Sequence, residues 1–131
     1  MAGLRATGPD AVRNEPQLVA DLLALYAEEY RHYRQLLELS RHQGEIMQHG
    51  AGIQEVNEVL HQKRRCLDVI SELEQADGGA RVLWQQGRRD WSSANRARVH
   101  NALQEIGTLI EQILLLEEEN DRILLSQTGA C

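Results

Sequence analysis

The chain has 131 residues, a formal net charge of −6, no Phe and only 4% aromatic residues, which gives it room for one domain with one core and the Leu/Gln/Glu/Arg character of a long-helix protein. The acidic balance argues against general nucleic-acid binding, which needs a surplus of Lys and Arg to neutralise phosphates. No apolar run reaches the length of a membrane span, so no membrane insertion is expected.

Residues 1–13 have no hydrophobic period and are expected to form a mobile tail. They lack the continuous apolar stretch of a secretion signal, so a cytoplasmic location is expected. Asn14 is a good helix cap, and Pro16 falls in the first turn, where a missing N–H does no harm. The first helix is predicted to run to about His49. Its seam is Val19, Leu23, Tyr26, Tyr30, Tyr33, Leu37, Ser40, Gly44 and Met47, alternating by four and three residues, the rhythm of helices packed lengthwise. A second row (Leu18, Leu22, Leu25, Leu36, Leu39, Ile46) lies beside it. Together they make a stripe wide enough to meet two neighbouring helices.

The segment His49-Gly50-Ala51-Gly52 ends this helix with glycines that permit a left-handed turn. So short a connection sends the second helix, about Ile53 to Ala76, back antiparallel. Its inward row is expected to be Ile53, Val56, Leu60, Leu67, Ile70 and Leu73. Lys63 interrupts that row and is expected at its edge, with the ammonium in water. Asp77-Gly78-Gly79 breaks the helix, and the connector ARVLWQQGRRDW follows. Val82, Leu83 and Trp84 are expected to add one turn, and Trp84 and Trp91 to close the end of the bundle. Ser92 or Ser93 caps the last helix, predicted to reach Ser126, beside the first helix and parallel to it, with 127–131 as a tail. The fold class is all-α: an antiparallel bundle of three long helices over 14–126, with a short connector before the last.

No catalytic machinery stands out. Two Glu-x-x-His pairs, Glu29…His32 and Glu58…His61, have the spacing used by di-iron carboxylate bundles. Measured from the turn at Gly50, however, His32 lies roughly 27 Å up one helix and His61 about 16 Å up the next, so the two miss each other. There is no phosphate loop, no HExxH and no GxSxG. Cys66 and Cys131 do not make a disulfide framework and are expected to be reduced thiols. Basic Arg64 and Arg65 flank Cys66, but a helix-embedded cysteine of this kind is usually inert. No metal, no cofactor and no enzymatic activity are expected.

The last helix departs from a simple bundle helix. Its seam (Val99, Leu103, Ile106, Ile110, Ile113, Glu117, Asn120, Leu124) is joined by a nearly contiguous run from Leu109 to Leu116, and by Ile123 and Leu125. Apolar residues cover most of its circumference, more than two companion helices can hide. The surplus strip, beside acidic Glu117, Glu118, Glu119 and Asp121, is a candidate groove for a partner helix. The candidate partner-binding residues are Leu109, Ile113, Leu114, Leu116, Glu117, Asn120, Ile123 and Leu124. Asn120, a polar residue in the seam, is expected to specify register. The competing reading is a structural or regulatory bundle that homodimerises through its last helix.

The order "LLALYAEEYRHYRQLLELSRHQGEIM", a Gly-containing turn, "IQEVNEVLHQKRRCLDVISELE", a Trp/Gly/Arg connector and a final helix with "LLLEEENDRILL" resembles the FlgN-type flagellar export chaperones over residues 18–126. The chain departs from that pattern at Gly78-Gly79 and in lacking an Arg directly after Leu73-Glu74. The resemblance implies a cytosolic chaperone that captures the C-terminal helical segments of hook-associated flagellar proteins. It also implies delivery of those segments to the type III export apparatus, with the partner surface on the last helix.

Overall fold

The computed structural model describes residues 14–87 and 90–128. The expected tail 1–13, the pair Arg88-Arg89 and Cys131 lie outside the described residues. The described chain is all-α, with four helices in the order α1 (Glu15–Gln48), α2 (Ile53–Gln75), α3 (Ala80–Gly87) and α4 (Ser93–Thr128). No described helix is long and apolar enough to cross a membrane.

The helix ends follow local chemistry. The Asn14 side chain accepts a hydrogen bond from the Gln17 N–H at 2.9 Å, satisfying one of the first-turn donors. α1 stops where Gly50 takes a positive φ of 79°, and the Ala51 N–H returns to the Ile46 carbonyl at 2.9 Å. A second glycine break, at Gly78 and Gly79, separates α2 from α3. The connector is more ordered than its sequence suggests: the expected single turn is an eight-residue helix. α4 opens on the Ser92 hydroxyl, which accepts from the Asn95 N–H at 3.2 Å. It runs past Ser126 into the expected tail, and the Gln127 side chain donates to the Met47 carbonyl.

α1 is the shared spine. It packs along α2, along α4 and against α3, whereas α2 and α4 make no comparable contact with one another. The Cys66 thiol meets the His32 carbonyl at 3.3 Å, and the Lys63 ammonium meets Gln43 at 2.7 Å; numbers falling on α2 match numbers rising on α1, so the two run antiparallel. α4 runs parallel to α1, because Asn95 meets Glu15, Glu117 meets Ser40 and Gln127 meets Met47.

Two apolar clusters hold the spine. In the first, Leu18, Leu22 and Tyr26 of α1 pack with Ala80 and Trp84 of α3 and with Val99 and Ile106 of α4. Trp91 stacks on Trp84 with ring centroids 5.4 Å apart and donates its indole N–H to the Trp84 carbonyl at 2.8 Å. The tight approach of Trp91 leaves no room for a side chain at Gly87. Arg81 pairs with buried Glu29 and lies over the Tyr26 ring, tying α3 to α1. Burial pushes the Glu29 carboxyl above the ordinary glutamate value, against the opposing pull of Arg81. The second cluster joins Leu36 and Leu37 to Cys66 of α2 and to Leu109 and Ile113 of α4.

Leu22 is fully buried in the first cluster, whereas Leu115 is largely exposed. Leu22→Ala is expected to cost about 2–5 kcal/mol in denaturant unfolding, and Leu115→Ala within about 0.5 kcal/mol of zero. Similar losses at both positions would place the core elsewhere.

Candidate functional site

The outer halves of α2 and α4 carry two sets of heptad rows lying side by side. On α4, Val99, Ala102, Ile106, Leu109, Ile113, Leu116, Asn120 and Ile123 alternate by three and four residues and are buried or half-buried. Beside them Leu103, Ile110, Glu117 and Leu124 repeat every seven residues and so share one stripe. Glu117 in that stripe bonds Lys63 of α2 at 2.5 Å, so the stripe faces α2. On α2, Val56, Val59, Lys63, Cys66, Ile70 and Leu73 turn toward α1. Ile53, Leu60 and Leu67, again every seven residues, form the flank toward α4.

Because α2 and α4 are held apart by their common attachment to α1, these flanks border a channel. A groove of about 820 Å³ is lined by Leu60, Lys63, Arg64 and Leu67 of α2 and by Glu117 of α4, among others. Leu60 and Leu67, the apolar residues of that lining, are 40% and 50% exposed, and beyond it Ile53 and Leu114 are 72% and 58% exposed. A hollow over Gly107 is formed by polar side chains of α4 alone and offers no such wall.

A polar layer crosses all three long helices at this level. The Lys63 ammonium, on a residue only 7% exposed, donates to the Gln43 carbonyl oxygen at 2.7 Å and to Glu117 Oε1 at 2.5 Å. The Ser40 hydroxyl donates to the same Glu117 oxygen at 2.6 Å. Asn120, fully buried, donates to the Ser40 carbonyl at 3.0 Å. Its side-chain oxygen sits against Gly44, where an added Cβ would come within 2.8 Å.

Several sequence expectations are corrected here. Lys63 is buried rather than snorkelling at an edge, because Gln43 and Glu117 supply the partners that water would otherwise provide. Ile53, Leu60 and Leu67 are not inward residues. Val56, Lys63 and Ile70 belong to two overlapping frames, and α1 takes the frame that includes Val59 and Cys66. Of the candidate partner-binding residues, Leu109, Ile113 and Asn120 are buried against α1 and closed to a partner in this conformation. Leu116 and Ile123 are half-buried. Glu117 borders the groove, and Leu114 and Leu124 are exposed. The open strip is therefore shifted around α4 toward α2, and its second wall, on α2, has no counterpart in the sequence expectation. The signal that finds the channel is the coincidence of Ser40, Gly44, Lys63, Glu117 and Asn120, polar or small residues occupying the seams of three helices at one level.

The Glu-x-x-His pairs are not brought together. His32 is half-buried on the side of α2 that carries Cys66 and Val69, whereas His61 borders the groove toward α4. Among the described residues, no group of three or more His, Cys, Asp and Glu is placed to hold a metal ion. Burial pushes the Cys66 thiol above its ordinary value, which keeps it protonated and unreactive at neutral pH. No family model matches the chain, and neither the curated proteins nor the solved structures yield a match.

The Gly44–Asn120 contact gives a direct check on the polar layer. In the parent chain Gly44→Ala forces a methyl onto a buried, bonded amide and is expected to cost about 1–3 kcal/mol. With Asn120→Ala already in place, the same change is expected to stabilise by up to about 1 kcal/mol through helix propensity. Equal effects in both backgrounds, read by denaturant unfolding, would mean that the two residues do not touch.

Proposed function

We propose that this chain is a binding module and not an enzyme. In this reading its three long helices act as an antiparallel bundle with one side left open to receive a helix from another protein. The observation that carries it is the exposed row Ile53, Leu60 and Leu67 on α2, with exposed Leu103 and Leu124 on the flank of α4 that faces it. A heptad row of Leu and Ile is the surface one helix offers another. Burying each such side chain is worth about 1.5–3 kcal/mol, a driving force left unused while the channel is empty. The occupant that fits is an amphipathic helix laid along α1 in the vacant fourth position of a four-helix arrangement.

Within that reading the client is the C-terminal helical segment of a hook-associated flagellar protein. The chain holds it unassembled in the cytoplasm and passes it to the type III export apparatus. Support for this choice is the order and character of the segments that resemble FlgN-type chaperones, together with an open apolar surface that includes Leu114 and Leu124 of the last helix. Glu117, Glu118 and Asp121 on the α4 side favour a client with basic residues beside its apolar face.

One observation favours homodimerisation as a second reading. The α2 wall carries Arg64 beside Asp68, and the α4 helix carries the acidic run. A second copy related by a two-fold axis would set Arg64 against that run and apolar row against apolar row.

Titration calorimetry of the full chain with C-terminal segments of the host's hook-associated proteins tests the proposal. A Kd of about 1 μM or tighter is expected, weakened at least about tenfold by Leu67→Asp, which replaces apolar surface with a carboxylate that the occupant must desolvate. If no segment binds, and sedimentation shows a dimer that resists added peptide, client capture is wrong and the second reading stands.

A further inference from the structure

Resting on the helix-capture reading, we infer that the channel reads one side chain of its occupant. The incoming helix carries a carboxamide, Gln or Asn, at the inward position that meets Lys63 and Glu117, within an otherwise apolar row.

Lys63 has three N–H donors, and its bonds to Gln43 and Glu117 use two. Glu117 Oε1 accepts both from Lys63 and from Ser40, while Oε2 receives no hydrogen bond from any described residue. The Glu117 side chain is 34% exposed, and both residues line the groove that holds Leu60 and Leu67. A third Lys63 donor and Glu117 Oε2 are therefore left over at one level of a groove that both residues line, with Leu60 and Leu67 beside them on α2.

While the groove is open, solvent reaches the Glu117 side chain, which is 34% exposed, and only the edge of Lys63, whose side chain is 9% exposed. A helix that fills the channel excludes solvent and must replace it, because a buried polar group without a partner is costly. An apolar side chain at this level leaves both groups unpaired. A carboxylate pairs with Lys63 but confronts Glu117. An ammonium or guanidinium pairs with Glu117 but confronts Lys63. A carboxamide answers both, with its carbonyl accepting from Lys63 and its NH2 donating to Glu117 Oε2. The layer is already built in this way on α1 and α4, through Gln43 and Asn120. A single polar contact in an apolar seam also fixes the register of the helix that brings it, and it rejects competitors that are merely greasy.

The test is a display selection on the full chain. The library consists of amphipathic helices whose inward positions vary among Leu, Ile, Ala, Gln, Asn, Lys and Glu. Recovered binders are expected to carry one Gln or Asn in an apolar row, and replacing it with Leu should weaken binding about tenfold. On the Lys63→Met/Glu117→Met chain the order should reverse, with the Leu version the tighter. The single change Glu117→Gln keeps the shape of the layer and guards against a double variant that does not fold. It removes the repelling charge and should shift the preferred residue to Glu. Binders that are uniformly apolar, or a preference unchanged on either variant, would overturn the inference and leave helix capture standing. A selection that returns no binder at all would overturn both.

Discussion

α1 packs along both other long helices, whereas α2 and α4 make no comparable contact with each other, and that constraint sets the rest of the structure. Val19, Tyr26, Leu37 and Met47 lie on one row, and Leu18, Leu22 and Leu36 on the next; all are buried. α2 spends its inward row on one side of this stripe and α4 on the other. Each then has a flank of Leu or Ile left over, turned toward the other across a gap that neither closes. Helices gain by packing where side chains interdigitate along their length. α2 and α4, committed to a common partner, are bridged by the Lys63–Glu117 ion pair.

The two ends of this arrangement are built differently. Toward the start of α1, α3 acts as a plug: Trp84 and the stacked Trp91 fill the space between α1 and α4, and the Glu29–Arg81 pair ties the plug down. Toward the end of α1 the described residues form no such plug, and the helices are joined through Ser40, Gln43, Lys63, Glu117 and Asn120. A buried ion pair is weak evidence for stability, since desolvation offsets much of its Coulomb gain. Its value here lies in alignment. It fixes the level at which α2 and α4 face one another across α1, and it marks that level chemically for anything entering the channel. Gly44 belongs to the same device, accepting the helix cost of a glycine so that the Asn120 amide can reach the backbone of α1.

Much of the fold was readable from spacing alone. Asn14 caps α1, Gly50 ends it, and the nine-step seam of the first helix is the buried or half-buried face of α1. The reversal of α2 follows from the short connector at Gly50. What spacing did not decide was which of two adjacent heptad frames turns inward. On α2 the frame through Ile53, Leu60 and Leu67 is the more hydrophobic, yet α1 takes the frame through Val59 and Cys66, where the Cys66 thiol meets the His32 carbonyl. On α4, Leu109 and Ile113 belong to the frame facing α1, whereas Leu114 and Leu124, expected with them as partner-binding residues, are exposed, as is Leu103. A one-dimensional pattern counts apolar residues; it does not say which neighbour claims them. The polar layer was missed for a related reason, since its members lie on three separate helices and meet only once those helices are aligned.

Cysteine accessibility addresses the open channel most directly. In a chain with Cys131→Ser, single cysteines at Leu67, Leu114 and Leu109 can be compared by alkylation rate under native conditions. Leu67→Cys and Leu114→Cys should react at rates near that of an unstructured thiol, while Leu109→Cys, like native Cys66, should react only on unfolding. If Leu67→Cys is as protected as Leu109→Cys in a monomer, α2 and α4 close on each other, and no vacant helix position exists.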